Sequence, residues 1–308
     1  AYPAVAECYG RSDKFFTGVV MTNGAGSART GKYGHVTDAQ MQEIRKEEQR
    51  TAAALGNYNL QLQLSHPSSD VKKSGNPAVA ADLAAIFGGC GPALQVVYLH
   101  QPADKHDTHV GCFLRCIEAI RTLPRDRRPA RVLGVEGWRN LDWLADADKV
   151  AMDASPLPEL AEKLVAVFES QIAGGKRYDL AAMGRRVANA TFFASHATDT
   201  TNAISFAMDL TPLVQDDALR VADAVPELVA GLAHAFQAFL ELLDAGVLSR
   251  EEVLAVHGTH RGRDGVEGVE VGLAHLVRGR GVGAPPRIDW EVAAERKLEA
   301  AVAPSSSR

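Results

Sequence analysis

Cysteine is scarce in this chain. Four in 308 residues are too few for a disulfide framework, so the expected setting is a reducing cytoplasm. Two of them, Cys112 and Cys116, lie four apart on one face of an expected helix, a pattern of buried thiols. Long hydrophobic runs are missing as well: no stretch of roughly 18 apolar residues is available to span a bilayer. The opening Ala1-Tyr2-Pro3 has neither the basic segment nor the apolar core of a secretory signal. Positive charge is in deficit, and a formal net charge of −5 argues against a general affinity for nucleic acid or an anionic membrane. There is no initiator Met at position 1, so the natural N-terminus is expected to lie elsewhere. No internal repeat is found. What remains is 46% hydrophobic and 23% charged, ordinary for a globular protein of one large domain or a domain plus an extension.

Along the chain, short apolar runs alternate with helical patterns. Phe15–Met21 reads as a buried strand ending in the Gly-rich loop Thr22–Ser27. Thr37 to Leu55 reads as a helix, opened by a Thr37/Gln40 capping box and stopped at Gly56. Tyr58–Leu64 alternates as a strand does. Ala78–Phe87 is helical, Leu94–Leu99 and Arg131–Val135 are strands, and Pro156–Gln171 is a helix. Strand–helix–strand units in series predict an α/β fold, a mostly parallel Rossmann-like sheet with helices on both faces. Its site is expected at the strand C-termini. From about residue 216 the composition shifts. A helical C-terminal extension is expected over 216–302, with a long helix at Ala224–Ala245, a second capping box at Ser249/Glu252 and a frayed tail from 303.

The richest motif is Asp104-Lys105-His106-Asp107-Thr108-His109, which links a strand end to a helix start. His106 and His109, three apart, can both face one pocket. A histidine can bind zinc through one nitrogen while a carboxylate holds the other. Two histidines do not make a catalytic zinc site, which needs three protein ligands and an open position. The plainer reading is helix capping plus a surface pair. Other residues carry weaker signals. Gly24-Ala25-Gly26-Ser27 lacks the full phosphate-loop fingerprint and reads as a turn. Lys176-Arg177 with Arg185-Arg186 reads as an anion site or, more commonly, a solvated basic face. Glu136, Trp138, Arg139 and Asp142 follow a strand and could line a sugar pocket, with Trp138 packing on a sugar ring or in the core. His196 with Asp199 is a further polar pair, and His257 and His260 sit in a plain Gly-rich loop.

At this point the chain resembles the PIG-L/LmbE-like deacetylases. The resemblance rests on Thr22-Asn23-Gly24, then Arg45-Lys46-Glu47-Glu48 with Ala52-Ala53-Ala54-Leu55-Gly56, then Asp104–His109, and Lys163 with Ser170-Gln171. These stand in the family's order over residues 15–171. The resemblance implies zinc-dependent removal of an N-acetyl group from an amino sugar or glycoconjugate, with Zn as cofactor. It makes His109 a zinc ligand and His106 the stabiliser of the oxyanion or the leaving group's proton donor. Asp104 orients an imidazole, Arg45 contacts substrate with Glu48 as its partner, and Asn23 and Trp138 belong to the substrate side.

The family's first metal-binding loop has no counterpart. Ala1–Val5 is rejected as a decayed copy, because a parallel crossover needs about a dozen residues or more and too few precede Phe15. Ala1–Arg11 is expected to be the remainder of a crossover helix, with the first strand upstream. The chain alone is therefore expected to bind zinc weakly and to expose apolar surface at Phe15–Met21. The alternative is a non-catalytic sugar-binding or interaction protein of the same fold. A nucleotide-binding α/β domain ranks third. A homo-oligomer is compatible with the sequence.

Overall fold

The computed structural model describes residues 1–194 and 197–224. In chain order its main elements are α1 (Tyr2–Cys8), β1 (Thr17–Thr22), α2 (Asp38–Leu55), β2 (Leu60–His66), α3 (Ser68–Lys72), α4 (Pro77–Cys90), β3 (Val96–His100), α5 (Asp107–Arg121) and β4 (Arg131–Val135). There follow β5 (Lys149–Asp153), α6 (Pro158–Ala166), α7 (Glu169–Ile172), α8 (Tyr178–Phe192), β6 (Ile204–Asp209) and α9 (Thr211–Gln215).

Local chemistry explains the best-defined boundaries. At the start of α2 the Thr37 hydroxyl accepts the Gln40 N–H at 3.3 Å. The Gln40 side chain in turn accepts the Thr37 N–H at 2.9 Å, so two otherwise unpaired helix donors are satisfied. The helix ends where the Gly56 N–H bonds the Ala52 carbonyl at 2.8 Å. Asn76 caps α4 by accepting from Ala78 and Val79, with Pro77 in the first turn.

The strands form two sheets. β1 pairs in parallel with β2, from Thr17↔Leu60 to Thr22↔His66, with an irregularity after Val20. The second sheet runs β3-β4-β6-β5. β3 and β4 are parallel, in register from Val96↔Arg131 to His100↔Val135. β6 is antiparallel to both β4 and β5. The expected mostly parallel sheet is therefore corrected to a mixed one. β6 enters from a direction that strand–helix alternation does not reveal, and the sequence patterns do not single out β5, β6 and α8 as separate elements. The single helix expected over Pro156–Gln171 is also corrected. It breaks at Val167-Phe168 into α6 and α7, and α6 begins only after Leu157, which has φ +53°. Among the described residues β1 and β3 are each paired on one edge only.

Two apolar clusters hold these layers. One joins Met21 of β1, Val97 of β3, Val132 of β4 and Phe206 of β6 to Phe113, Ile117 and Ile120 of α5 and Leu83 of α4. Each such side chain contributes roughly 1.5–3 kcal/mol on leaving water. The other joins Tyr2 and Val5 of α1 to Ala52 of α2 and Leu160, Ala161 and Leu164 of α6, with Phe16 and Tyr58 against it. The first residues of the expected C-terminal extension dock on the main body. Leu219 and Val221 pack on the larger cluster, and Arg128 bonds Asp217 at 2.7 Å. The rest of that extension, with Ala224–Ala245, Ser249/Glu252, His257 and His260, reaches beyond the described residues, as does His196. Among the described residues no helix is long and apolar enough to cross a membrane.

Candidate functional site

The loops that leave β3 and β4 are sewn together, and Asp104 is the knot. Gln101, fully buried, accepts the Ala103 N–H at 3.0 Å and donates to the Arg139 carbonyl at 3.2 Å. The Arg139 guanidinium returns a bond to the Ala103 carbonyl at 2.6 Å. Within this frame the Asp104 side chain has no exposed surface. Its Oδ1 accepts the N–H of Lys105 at 2.6 Å and of Arg139 at 3.2 Å. Its Oδ2 accepts the Trp138 N–H at 3.2 Å and meets His109 Nδ1 at 3.0 Å. Burial alone would raise its pKa, but the His109 and backbone hydrogen bonds prevail and hold it below the usual carboxylate value. Gly137 is a silent requirement of this geometry. A Cβ there would stand 2.2 Å from Asp104 Oδ2.

Asp104 decides what His109 can do. A carboxylate at Nδ1 fixes the proton on that nitrogen and leaves the Nε2 lone pair available. His106 has the opposite arrangement. It is the N-cap of α5, and its Nδ1 accepts the Thr108 N–H at 3.3 Å, so in the neutral ring the proton sits on Nε2. Nearly half of the His106 side chain is exposed. Asp107 completes the cap by accepting the Thr108 N–H at 2.9 Å and pairing with Lys72 at 3.1 Å.

A third imidazole belongs to this site, His100 at the end of β3. Its ring stacks on His109 with centroids 3.9 Å apart and planes 11° from parallel. The His106 ring stands 4.7 Å from His109, and Trp138 lies 6.3 Å beyond His106. Burial, and then the neighbouring His109, pushes the His100 pKa down to about 3, so its ring is neutral. His100, Asp104 and His109 bring ligand atoms within 4.8 Å of one another. The arrangement does not close a zinc site. Zinc lies about 2.0–2.1 Å from each imidazole nitrogen, along the ring plane. A metal in the plane of His109 would be far out of the plane of the near-parallel His100. Asp104 would also have to give up at least one of the N–H bonds it accepts before it could ligate.

A second cluster carries the other expected substrate residues. Arg45 and Glu48, one turn apart on α2, form an ion pair, with side chains 13% and 11% exposed. Glu48 also accepts the Ser170 N–H at 2.7 Å and its hydroxyl at 2.8 Å, tying α2 to α7. The Arg45 guanidinium lies 5.2 Å over the Phe168 ring. Gly24, at φ +76°, lets the loop after β1 close over the Arg45 stem; a Cβ there would sit 2.8 Å from it. Asn23 shapes this turn, its side-chain oxygen accepting the Ala25 N–H at 3.1 Å.

Tyr178 links the clusters. It meets Trp138 edge-on at 5.8 Å, and burial raises its pKa against the opposing pull of the Arg45 charge. Trp138 is 37% exposed and has Lys176 Nζ 5.2 Å over its ring. The other residues of the expected sugar pocket have partners within the fold. Glu136 accepts from Leu141, Asn189 and Phe206, and Asp142 faces Lys149 at 3.9 Å. His100, Gly137 and Tyr178 escape sequence reasoning. Each comes from a separate element, and a Gly just past a strand is the one signal on offer.

No family model matches the chain, and no curated protein does. Solved structures share its fold at low identity. The conserved protein TT1542 from Thermus thermophilus aligns with TM-score 0.51 and 16% identity, over 71% of this chain and 92% of its own. The 4-carboxy-2-hydroxymuconate hydratase GalB from Pseudomonas putida aligns with TM-score 0.50 and 15% identity, over 68% and 89%. The N,N'-diacetylchitobiose deacetylase from Pyrococcus horikoshii aligns with TM-score 0.51 and 16% identity, over 72% and 82%. The likeness is one of fold: this chain has an α/β architecture that a deacetylase and a hydratase also use.

Proposed function

We propose that this protein is a hydrolase of the PIG-L/LmbE type, removing an N-acetyl group from a small amino sugar or glycoconjugate. The observation that carries the reading is the complementary pair of imidazoles: His109 with a free Nε2 lone pair backed by Asp104, and His106 with Nε2–H turned outward. Water activation is the chemistry that the names deacetylase and hydratase have in common.

The zinc that the resemblance implies would need ligands beyond those the described residues offer, so no step is routed through it. His109 Nε2 takes a proton from water, and Asp104 stabilises the imidazolium. The water oxygen attacks the amide carbon, and the carbonyl electron pair moves onto oxygen, where His106 Nε2–H holds it. The imidazolium proton passes to the amide nitrogen as the C–N bond breaks. Acetate and a free amine leave. Trp138 supplies an aromatic face for the sugar ring, and Arg45, held by Glu48, contacts a polar group of the substrate.

The test is release of acetate and free amine from N-acetylglucosaminyl compounds by the purified chain, with and without added zinc. Release is expected to vanish in His109→Ala and to fall about 10²-fold or more in His106→Ala. No release from any such compound would count against the reading. The shortfall in metal ligands favours a second reading, a sugar-binding protein of the same fold; saturable N-acetylglucosamine binding without turnover would establish it.

A further inference from the structure

Four basic residues form the group Lys176, Arg177, Arg185 and Arg186, and the structure separates them. Arg177 pairs with Asp179 at 2.7 Å on the surface. Lys176 lies over the Trp138 ring and Arg186 over the Tyr2 ring. Arg185 instead reaches from α8 to the loop that follows β4. Its Nη1 donates to the Gly137 carbonyl at 2.5 Å and its Nη2 to the Trp138 carbonyl at 3.4 Å. Those carbonyls belong to two consecutive peptide groups. The N–H ends of the same two groups, on Trp138 and Arg139, are the ones that Asp104 accepts at 3.2 Å each. In a trans peptide the C=O and the N–H point in opposite directions. The guanidinium fork therefore grips both peptides from one side, and the carboxylate fork grips the same two from the other.

The charges favour this arrangement. Each peptide carries a dipole of about 3.5 D, and both are set with the carbonyl toward the cation and the N–H toward the anion. Hydrogen bonds in series polarise one another, so Arg185 strengthens two of the donors that Asp104 relies on without touching it. One turn further along α8, Asn189 donates to Glu136 Oε2 at 2.8 Å, and Glu136 Oε1 accepts the Leu141 N–H at 3.0 Å. The helix thus holds the ends of the loop through Asn189 and its middle through Arg185. With Oδ1 on the Arg139 N–H and Oδ2 on the Trp138 N–H, the carboxylate cannot rotate freely, and Oδ2 stays 3.0 Å from His109 Nδ1. We infer that Arg185 is a positioning residue, which holds the Asp104 carboxylate on His109 through the Gly137–Trp138 and Trp138–Arg139 peptides. The positioning is a property of the fold, whereas its effect on turnover rests on the deacetylase reading.

Two measurements on the purified 308-residue chain test it. The first is nuclear magnetic resonance without substrate. The His109 Nδ1–H, held against a carboxylate that has no exposed surface, should give a low-field proton resonance, assigned by its loss in His109→Ala. The resonance is expected to persist in Arg177→Gln and to vanish in Arg185→Gln at unchanged circular dichroism. Arg185→Lys replaces the planar fork by a point charge, and the resonance should survive there but shift. The second measurement is amine release from N-acetylglucosaminyl compounds. Arg185→Gln should lower kcat by about 10- to 100-fold, as loss of an outer partner of a site histidine does, with KM moving less. Arg185→Lys should restore part of kcat. A brace with no bearing on Asp104 would lower the melting temperature and leave both readouts unmoved. The inference is overturned by a wild type without the resonance, or by wild-type kcat in Arg185→Gln. It is equally overturned by a resonance unmoved in Arg185→Gln or, should that variant not fold, in Arg185→Lys. A resonance that responds as stated in a chain that releases no amine supports the positioning and counts against the deacetylase reading alone.

Discussion

At the scale of single residues, the side chain that most constrains the candidate site is Asp104, which takes three backbone N–H groups and one imidazole with no water contact. Asp104→Asn would turn an NH2 group toward donors, and each orphaned buried donor costs roughly 1–3 kcal/mol. We expect a urea midpoint lowered accordingly, together with loss of amine release; an unchanged midpoint would show that the carboxylate is dispensable to the loop. Gly137→Ala acts on the same carboxylate from the backbone side. Its new methyl would displace Asp104 from His109, so acetate release should fall as it does in Asp104→Asn, and wild-type turnover in Gly137→Ala would refute the link. The thiols allow a cleaner readout. Burial pushes the Cys112 thiol up to about 11 and Cys116 higher still, whereas Cys90 is exposed. Iodoacetamide followed by mass spectrometry should modify Cys90 in the native protein and Cys116 only after unfolding.

At the scale of elements, α2 presents Arg45 and Glu48, and its position depends on the Thr37/Gln40 box and the Glu48–Ser170 bonds. Thr37→Ala should cost about 1 kcal/mol in urea unfolding; no loss would mean that packing alone sets the helix start. That box, the stop at Gly56 and the strand Arg131–Val135 are legible in the sequence because each is signalled by residues a few positions apart. The break between α6 and α7 is not legible. Neither Pro nor Gly marks Val167-Phe168, and the turn there delivers Ser170 to Glu48 across the fold. Nor are β5 and β6, short strands whose partners lie far along the chain. The same distinction divides the site. Asp104, His106 and His109 are contiguous and can be read directly, while His100, Gly137 and Tyr178 join them only through strand register and loop closure.

At the scale of the whole molecule, the two sheets share one apolar cluster but keep an unpaired edge on β1 and another on β3 among the described residues. Beside the β1 edge, Phe15 is 70% exposed and Val19 39%, on the segment expected to expose apolar surface. Such an edge invites strand addition by other copies. Val19→Lys should therefore lower concentration-dependent light scattering of the purified chain at unchanged melting temperature, and equal scattering would place the sticky surface elsewhere.

β6 also sets an order of events. It is the strand between β4 and β5, and among the described residues β5 has no other partner. On a ribosome the chain emerges N-terminal end first, so Lys149–Asp153 must wait, unpaired, until Asp209 has left the exit tunnel. Through that interval the nascent chain carries β3 and β4 in a half-built sheet, with the Asp104 loop leaning on a strand, β4, that lacks its second neighbour. Chaperone demand during synthesis should peak in that window and fall once β6 closes the sheet.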